Sequence, residues 1–179
     1  MHRLRYVFVA GLLALPAYAG AQVKDATDVL ASEIEALAAN LAKGGDMQGR
    51  LVDFGKINVG IGVVRWPAGA RGVLAHSQVG EVYYMVEGTG TLVTGGTMPG
   101  AKPMAATGDV VKILVGPSTS SEKVEAGTSR KIGPGDVIII PPGVPHQWLT
   151  VDTPMKYVVV RIDPDKVLPA GYVNPALKK

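Results

Sequence analysis

The sequence predicts an all-β domain, an antiparallel sandwich or barrel, carrying one N-terminal helix. Three observations predict it. Short runs rich in Val, Ile, Tyr and Thr follow one another from Ile57 onward. Gly and Pro punctuate these runs at close intervals. No helical periodicity lies between them, so the crossover helices that a parallel α/β sheet needs are missing. The 179 residues fit one domain.

The chain opens on MHRLRYVFVAGLLALPAYAGAQ. A basic start (His2, Arg3, Arg5), an apolar run from Tyr6 to Leu15 and small residues at Ala17, Ala19 and Ala21 are the layout of a secretory signal. Cleavage is expected before Gln22, with Ala19 as a second site, and the product is expected in the periplasm or outside the cell. The apolar run is short for a membrane span, although an uncleaved anchor is the alternative reading. Without Arg3 and Arg5 the 18 basic side chains fall to 16, which nearly balance the 15 acidic ones. No basic block points to nucleic acid. With no cysteine, the chain has neither disulfides nor a lipid-modified thiol, so its stability must come from its core.

Residues 27–43 read as a helix: Leu30, Ile34, Leu37 and Leu41 recur at helical spacing, Thr27 or Asp28 can cap it, and Gly44-Gly45 can end it. It is expected to pack outside the domain or to serve as a dimer contact. The expected strands are INVGIGVVRW, EVYYMVEG, GTLVTG, DVVKILV, DVIIIP, HQWLTV and MKYVVVRI. Residues 94–135 form a long excursion rich in Gly, Pro, Ser and Thr, with one or two strands of its own. GDVVKILVG and GDVIIIPPG echo each other as two similar starts of strands. The expected organisation is a signal over 1–21, a helical segment over 22–54, the β domain over 55–165 and a tail over 166–179.

The chain has three histidines, and His2 leaves with the signal. His76 and His146 remain, each expected at the start of a strand beside a bend. In AHSQVGEVYYMVEG, His76 and Glu81 stand five apart, which puts them on opposite faces of one regular strand. A bend at Gly80 lets them share a face. Glu81, Tyr83 and Met85 then face one way, Tyr84 and Val86 the other. Glu81 is either exposed at a strand end or buried with a partner or a metal. In IPPGVPHQWLT, three prolines precede His146. Proline donates nothing to a ladder, so this is a rigid corner that aims one side chain. Arg65 and Arg161 read as solvated strand-end charges or as carboxylate binders.

These two stretches together resemble the two motifs of the cupins. In the first, His76 matches the second histidine of His-x-His, Glu81 the glutamate and Gly88 the closing glycine. In the second, Gly135, Pro141, Gly143 and His146 fall at the family's spacing. The resemblance covers about residues 55–162. It departs at three places: Leu74 stands where the first histidine falls, Thr150 where the final asparagine falls, and Ala68 at the opening glycine, with Gly69 beside it.

The resemblance implies a cupin-like antiparallel β-barrel, a double-stranded β-helix or jelly roll, with a divalent metal inside it. Here His76, Glu81 and His146 would be the ligands, and the fourth is missing. Two histidines and a carboxylate suit Fe, with Mn, Ni or Zn as alternatives. Alternation from His146 sends Trp148 and Thr150 inward, where they would form a mostly apolar pocket with Leu74, Tyr83 and Met85; Gln78 could add an amide. These aromatics bind a small molecule or merely fill the core. Tyr83 is the candidate general acid or base.

Three functions follow as expectations. One is a metal-dependent enzyme of oxygenase, isomerase or lyase type on a small organic molecule. The second is a non-catalytic small-molecule binder with a degenerate metal site. The third is a structural barrel whose helix and excursion bind a partner. The resemblance also implies a homodimer formed through sheet edges, and neither a nucleic acid nor, after cleavage of the signal, a membrane as partner.

Overall fold

The computed structural model describes residues 25–178; the expected signal lies outside them. No helix among the described residues is long and apolar enough to cross a membrane.

Helix α1 spans Ala31–Ala39, shorter than the expected 27–43. Its start is set by Glu33, not by Thr27 or Asp28: the Glu33 carboxylate accepts the Leu30 N–H at 3.0 Å, which satisfies one of the donors a helix start leaves open. Asn40 Nδ2 donates back to the Ala36 carbonyl at 2.8 Å, and a turn leads to Gly44 at φ +89°. Leu37 and Ala38 are buried on the outer side of a sheet against Val63, with Ile34 and Met47 beside them. The segment that follows is strand β1 (Gly45–Asp53), not helix. It escapes a hydrophobic reading because the residues it buries deepest include Gln48. Its register also slips between Gln48 and Arg50, a bulge at Gly49.

The other strands are β2 (Asn58–Trp66), β3 (Val73–His76), β4 (Gly80–Glu87), β5 (Gly90–Thr94), β6 (Lys102–Pro103), β7 (Ser118–Ser121), β8 (Thr128–Ile132), β9 (Val137–Ile140), β10 (His146–Val151) and β11 (Met155–Asp163). They build two antiparallel sheets, ordered β1-β2-β11-β4-β9 and β6-β7-β3-β10-β5-β8. Each sheet is hydrogen-bonded within itself, so the fold is an open, barrel-like sandwich and not a closed barrel. Tyr83, Met85, Leu92, Ile138, Trp148, Tyr157 and Val159 share one core between the sheets. Each fully buried apolar side chain of this size contributes roughly 1.5–3 kcal/mol relative to exposure. Gly88 ends β4 at φ +80°, and a Cβ there would stand 2.4 Å from the Pro154 carbonyl oxygen. Only glycine lets that turn sit so close to the start of β11.

Two further expectations change. DVVKILV is no strand: Val110–Val115 winds into a π-helical turn, opened by Val111 and Lys112 N–H bonds to the Gly108 carbonyl. Its echo forms β9, paired with β4. A short apolar run goes either way, and a partner strand decides. The expected tail also packs back on the domain over residues 166–178. Leu168 packs with Leu51 and Val79, and Val173 bridges to Arg50.

Candidate metal centre

His76 ends β3 rather than starting a strand. The chain then crosses from one sheet to the other, and Gly80 starts β4. Glu81 therefore faces His76 from the opposite sheet, which the five-residue spacing allows once the two lie on different strands. His146 opens β10, which runs beside β3 with His146 opposite Leu74. The proline corner is tied down from β3: Gly143 N–H donates to the His76 carbonyl at 2.6 Å, at a Gly143 φ of +79°.

All three side chains are buried. Their ligand atoms lie within 4.8 Å of one another. Each histidine presents Nε2 to the same atom, Glu81 Oε2, at 3.6 Å. The opposite ring nitrogens fix the tautomers. Ser118 Oγ gives its one proton to the Gly116 carbonyl at 2.8 Å, so it can only accept from His76 Nδ1, also at 2.8 Å. His146 Nδ1 faces the Val144 carbonyl at 3.0 Å and must donate to it. Burial pushes the His146 imidazolium down, against the pull of Glu81. A neutral imidazole with its proton on Nδ1 turns a lone pair inward from Nε2. The centre thus gathers lone pairs from two nitrogens and a carboxylate, at distances too long for hydrogen bonds.

That donor set fits a divalent cation. Two ligand atoms about 2.1 Å from one ion stand about 3–3.5 Å apart at octahedral or tetrahedral angles. Glu81 is anchored on both oxygens: Oε2 accepts the Tyr83 hydroxyl at 2.7 Å and Oε1 accepts Arg161 Nε at 3.2 Å. Burial alone would raise the Glu81 pKa. The neighbouring His76 and the charge of Arg161 outweigh it and hold the carboxyl well below the usual range. Glu81 is therefore a buried anion, not an exposed one.

Arg161 is no solvated strand-end charge. It is 0 % exposed. Besides Glu81 it holds Gln48 Oε1 through Nη1 at 2.7 Å and Asp46 Oδ2 through Nη2. Burial pushes Asp46 up despite Arg161, and its Oδ1 has no partner among the described residues.

The cluster opens on a cavity of about 300 Å³. Leu74, Tyr83 and Trp148 line it as expected; so do Arg71, Met104 and Leu114. Met85 lies in the core instead of on the cavity wall. Gln78 turns outward to Asp165 at 3.3 Å. Thr150 is exposed and bonds Asp152 at 2.9 Å. The β10–β5 register slips between Trp148 and Thr150, so a bulge at Leu149 breaks the alternation that would have sent Thr150 inward. Tyr83 touches both cavity and cluster. Burial and the Glu81 charge push its phenol well above the ordinary value, which leaves it a hydrogen-bond donor.

The family model described as Cupin matches residues 56–176. No curated protein matches. Among solved structures, a protein of Bacillus halodurans (BH2720) is 15 % identical, with TM-score 0.48 over 86 % of this chain and 92 % of that one. DMSP lyase DddQ from Ruegeria pomeroyi is 18 % identical, with TM-score 0.45 over 79 % of this chain. An oxalate decarboxylase is 20 % identical, with TM-score 0.45 over 69 % of this chain. This chain spans only 57 % of that lyase and 27 % of that decarboxylase.

Proposed function

The chain belongs to the cupin family, and from that premise we propose that it binds a divalent transition metal through His76, Glu81 and His146 and acts on a small organic molecule in the adjoining cavity. The observation that carries the proposal is the convergence of His76 Nε2 and His146 Nε2 on the single atom Glu81 Oε2, each at 3.6 Å. Three ligands would leave positions open, and a metal held by them would supply Lewis acidity. Leu74 closes the fourth side with an apolar wall.

The chain's own residues do the rest. Ser118 and the Val144 carbonyl hold the imidazoles in one tautomer. Tyr83 and Arg161 hold Glu81. Tyr83 carries the proton nearest the centre, and its raised pKa makes it suited to giving a hydrogen bond rather than taking a proton. Leu74, Trp148 and Leu114 keep water from the cavity. Oxygenase, isomerase and lyase chemistry are all compatible with such a site, and the proposed location is the periplasm or the medium, as the leader sequence indicates.

Thermal unfolding tests the binding step. A ligand that binds only the folded state stabilises it by RT ln(1 + [L]/Kd), about 2.7 kcal/mol at a hundredfold excess over Kd. The melting temperature is expected to climb with the concentration of Zn(II), Mn(II), Ni(II) or anaerobic Fe(II), and to fall back with chelator. A melting temperature indifferent to all four ions would sink the proposal.

A further inference from the structure

Resting on the metal reading above, we propose that the cavity takes a small organic monoanion with an apolar body, its anionic head on Arg71 and its body against Leu74, Leu114 and Trp148.

The charge balance points to an anion. Glu81 and Asp46 are the carboxylates of the cavity wall. Arg161, behind them, is bonded to both and neutralises one of the two charges. Arg71, also in the wall, supplies a second positive charge. A divalent ion at the centre then leaves two positive charges in excess in a site walled mostly by apolar side chains. Low-dielectric walls make such an excess costly until a counter-charge arrives.

Arg71 is built to receive it. Among the described residues no carboxylate pairs with it. Nη1 donates to the Ala70 carbonyl at 2.7 Å and Nη2 to the Pro67 carbonyl, bonds that fix the group in place without neutralising it. Its Nε is buried and has no partner among the described residues. One N–H on each terminal nitrogen remains for a ligand. The guanidinium also lies 5.0 Å from the Trp66 ring centroid, which orients it further. The backbone beside it is fixed by the Arg71 N–H bond to the Trp148 carbonyl at 3.0 Å. A planar fork held this way matches a carboxylate.

The remaining wall decides the body. Leu74, Val64, Met104, Val110, Leu114 and Trp148 face the cavity. Met104, Val110 and Leu114 come from the 94–135 excursion, which thereby gains a role in selection. Gln147, also on the wall with the two histidines and two tyrosines, spends its amide N–H groups on the Arg71 and Glu122 carbonyls.

Titration calorimetry with benzoate, its neutral isostere benzamide, and oxalate tests this on the zinc-loaded protein and on the metal-free protein. Benzoate is expected to bind at least about tenfold more tightly than benzamide and more tightly than oxalate. Arg71→Gln should bring the benzoate-to-benzamide ratio down by about tenfold while zinc stays bound; Arg71→Lys should restore part of it. Leu114→Asn should weaken benzoate but not oxalate. A wild-type protein that binds no benzoate, an Arg71→Gln ratio equal to wild type, or oxalate binding tighter than benzoate would each overturn the proposal. The metal-free arm separates the two readings: if zinc never binds, the metal reading falls, and the effect of Arg71 on benzoate is still measured.

Discussion

Glu81→Ala will bind zinc more than about a hundredfold more weakly than the parent protein, and His146→Ala will do the same. The reason is geometric. Both histidine Nε2 atoms meet the single atom Glu81 Oε2, each at 3.6 Å. Removing that oxygen leaves two imidazoles and no anionic ligand. Residues that merely orient ligands cost 10–100-fold when lost, and a ligand must exceed that. Glu81→Ala also unpairs Arg161, so its stability will drop as well. His146→Ala leaves Arg161 paired, because His146 meets Glu81, the Val144 carbonyl and the rings of His76 and Tyr83. Calorimetric titration with Zn(II) checks both. Parent-like affinity in His146→Ala would remove that residue from the ligand set.

Arg161→Met will destabilise the fold by about 3–5 kcal/mol, the typical cost of removing one partner from a buried ion pair. Arg161 is fully buried between two carboxylates and the Gln48 amide. Methionine fills the space but leaves Glu81 and Asp46 facing each other's charge without a cation. At a urea slope of about 1–3 kcal/mol/M, the unfolding midpoint should fall by more than about 1 M. Arg161→Lys should fall in between, since one ammonium cannot reproduce the three directions of the guanidinium. An unchanged midpoint in Arg161→Met would mean that the Asp46–Arg161–Glu81 chain contributes nothing to folding.

The strands from β2 onward that carry apolar alternation were legible as a sequence, as were the two bends that carry His76, Glu81 and His146. The illegible parts share one physical cause: their inward side chains answer to partners distant in the chain. β1 turns Gln48 inward to reach Arg161, 113 positions away, so it shows no hydrophobic pattern. Arg161 itself carried a signal that alternation could have caught. Met155, Tyr157 and Val159 are all buried at the same parity, and the next such position is Arg161. Ser118 carried no signal, since a serine in STSS gains its meaning only from β7 lying beside β3. Val110–Val115 and Val137–Ile140 begin alike and diverge because only the second has a strand to pair with. At Thr150 the bulge after Trp148, invisible in composition, reversed the facing of the strand end.

On this geometry the chain holds one transition-metal ion on His76, Glu81 and His146. Elemental mass spectrometry of the chain from residue 22 tests it most directly, on protein purified without a histidine tag or chelator. Close to one metal ion per chain is expected, lost in His146→Ala. A parent protein that holds no metal after incubation with Fe(II), Mn(II), Ni(II) and Zn(II) would contradict it, and Leu74 would then mark a site that no longer binds an ion.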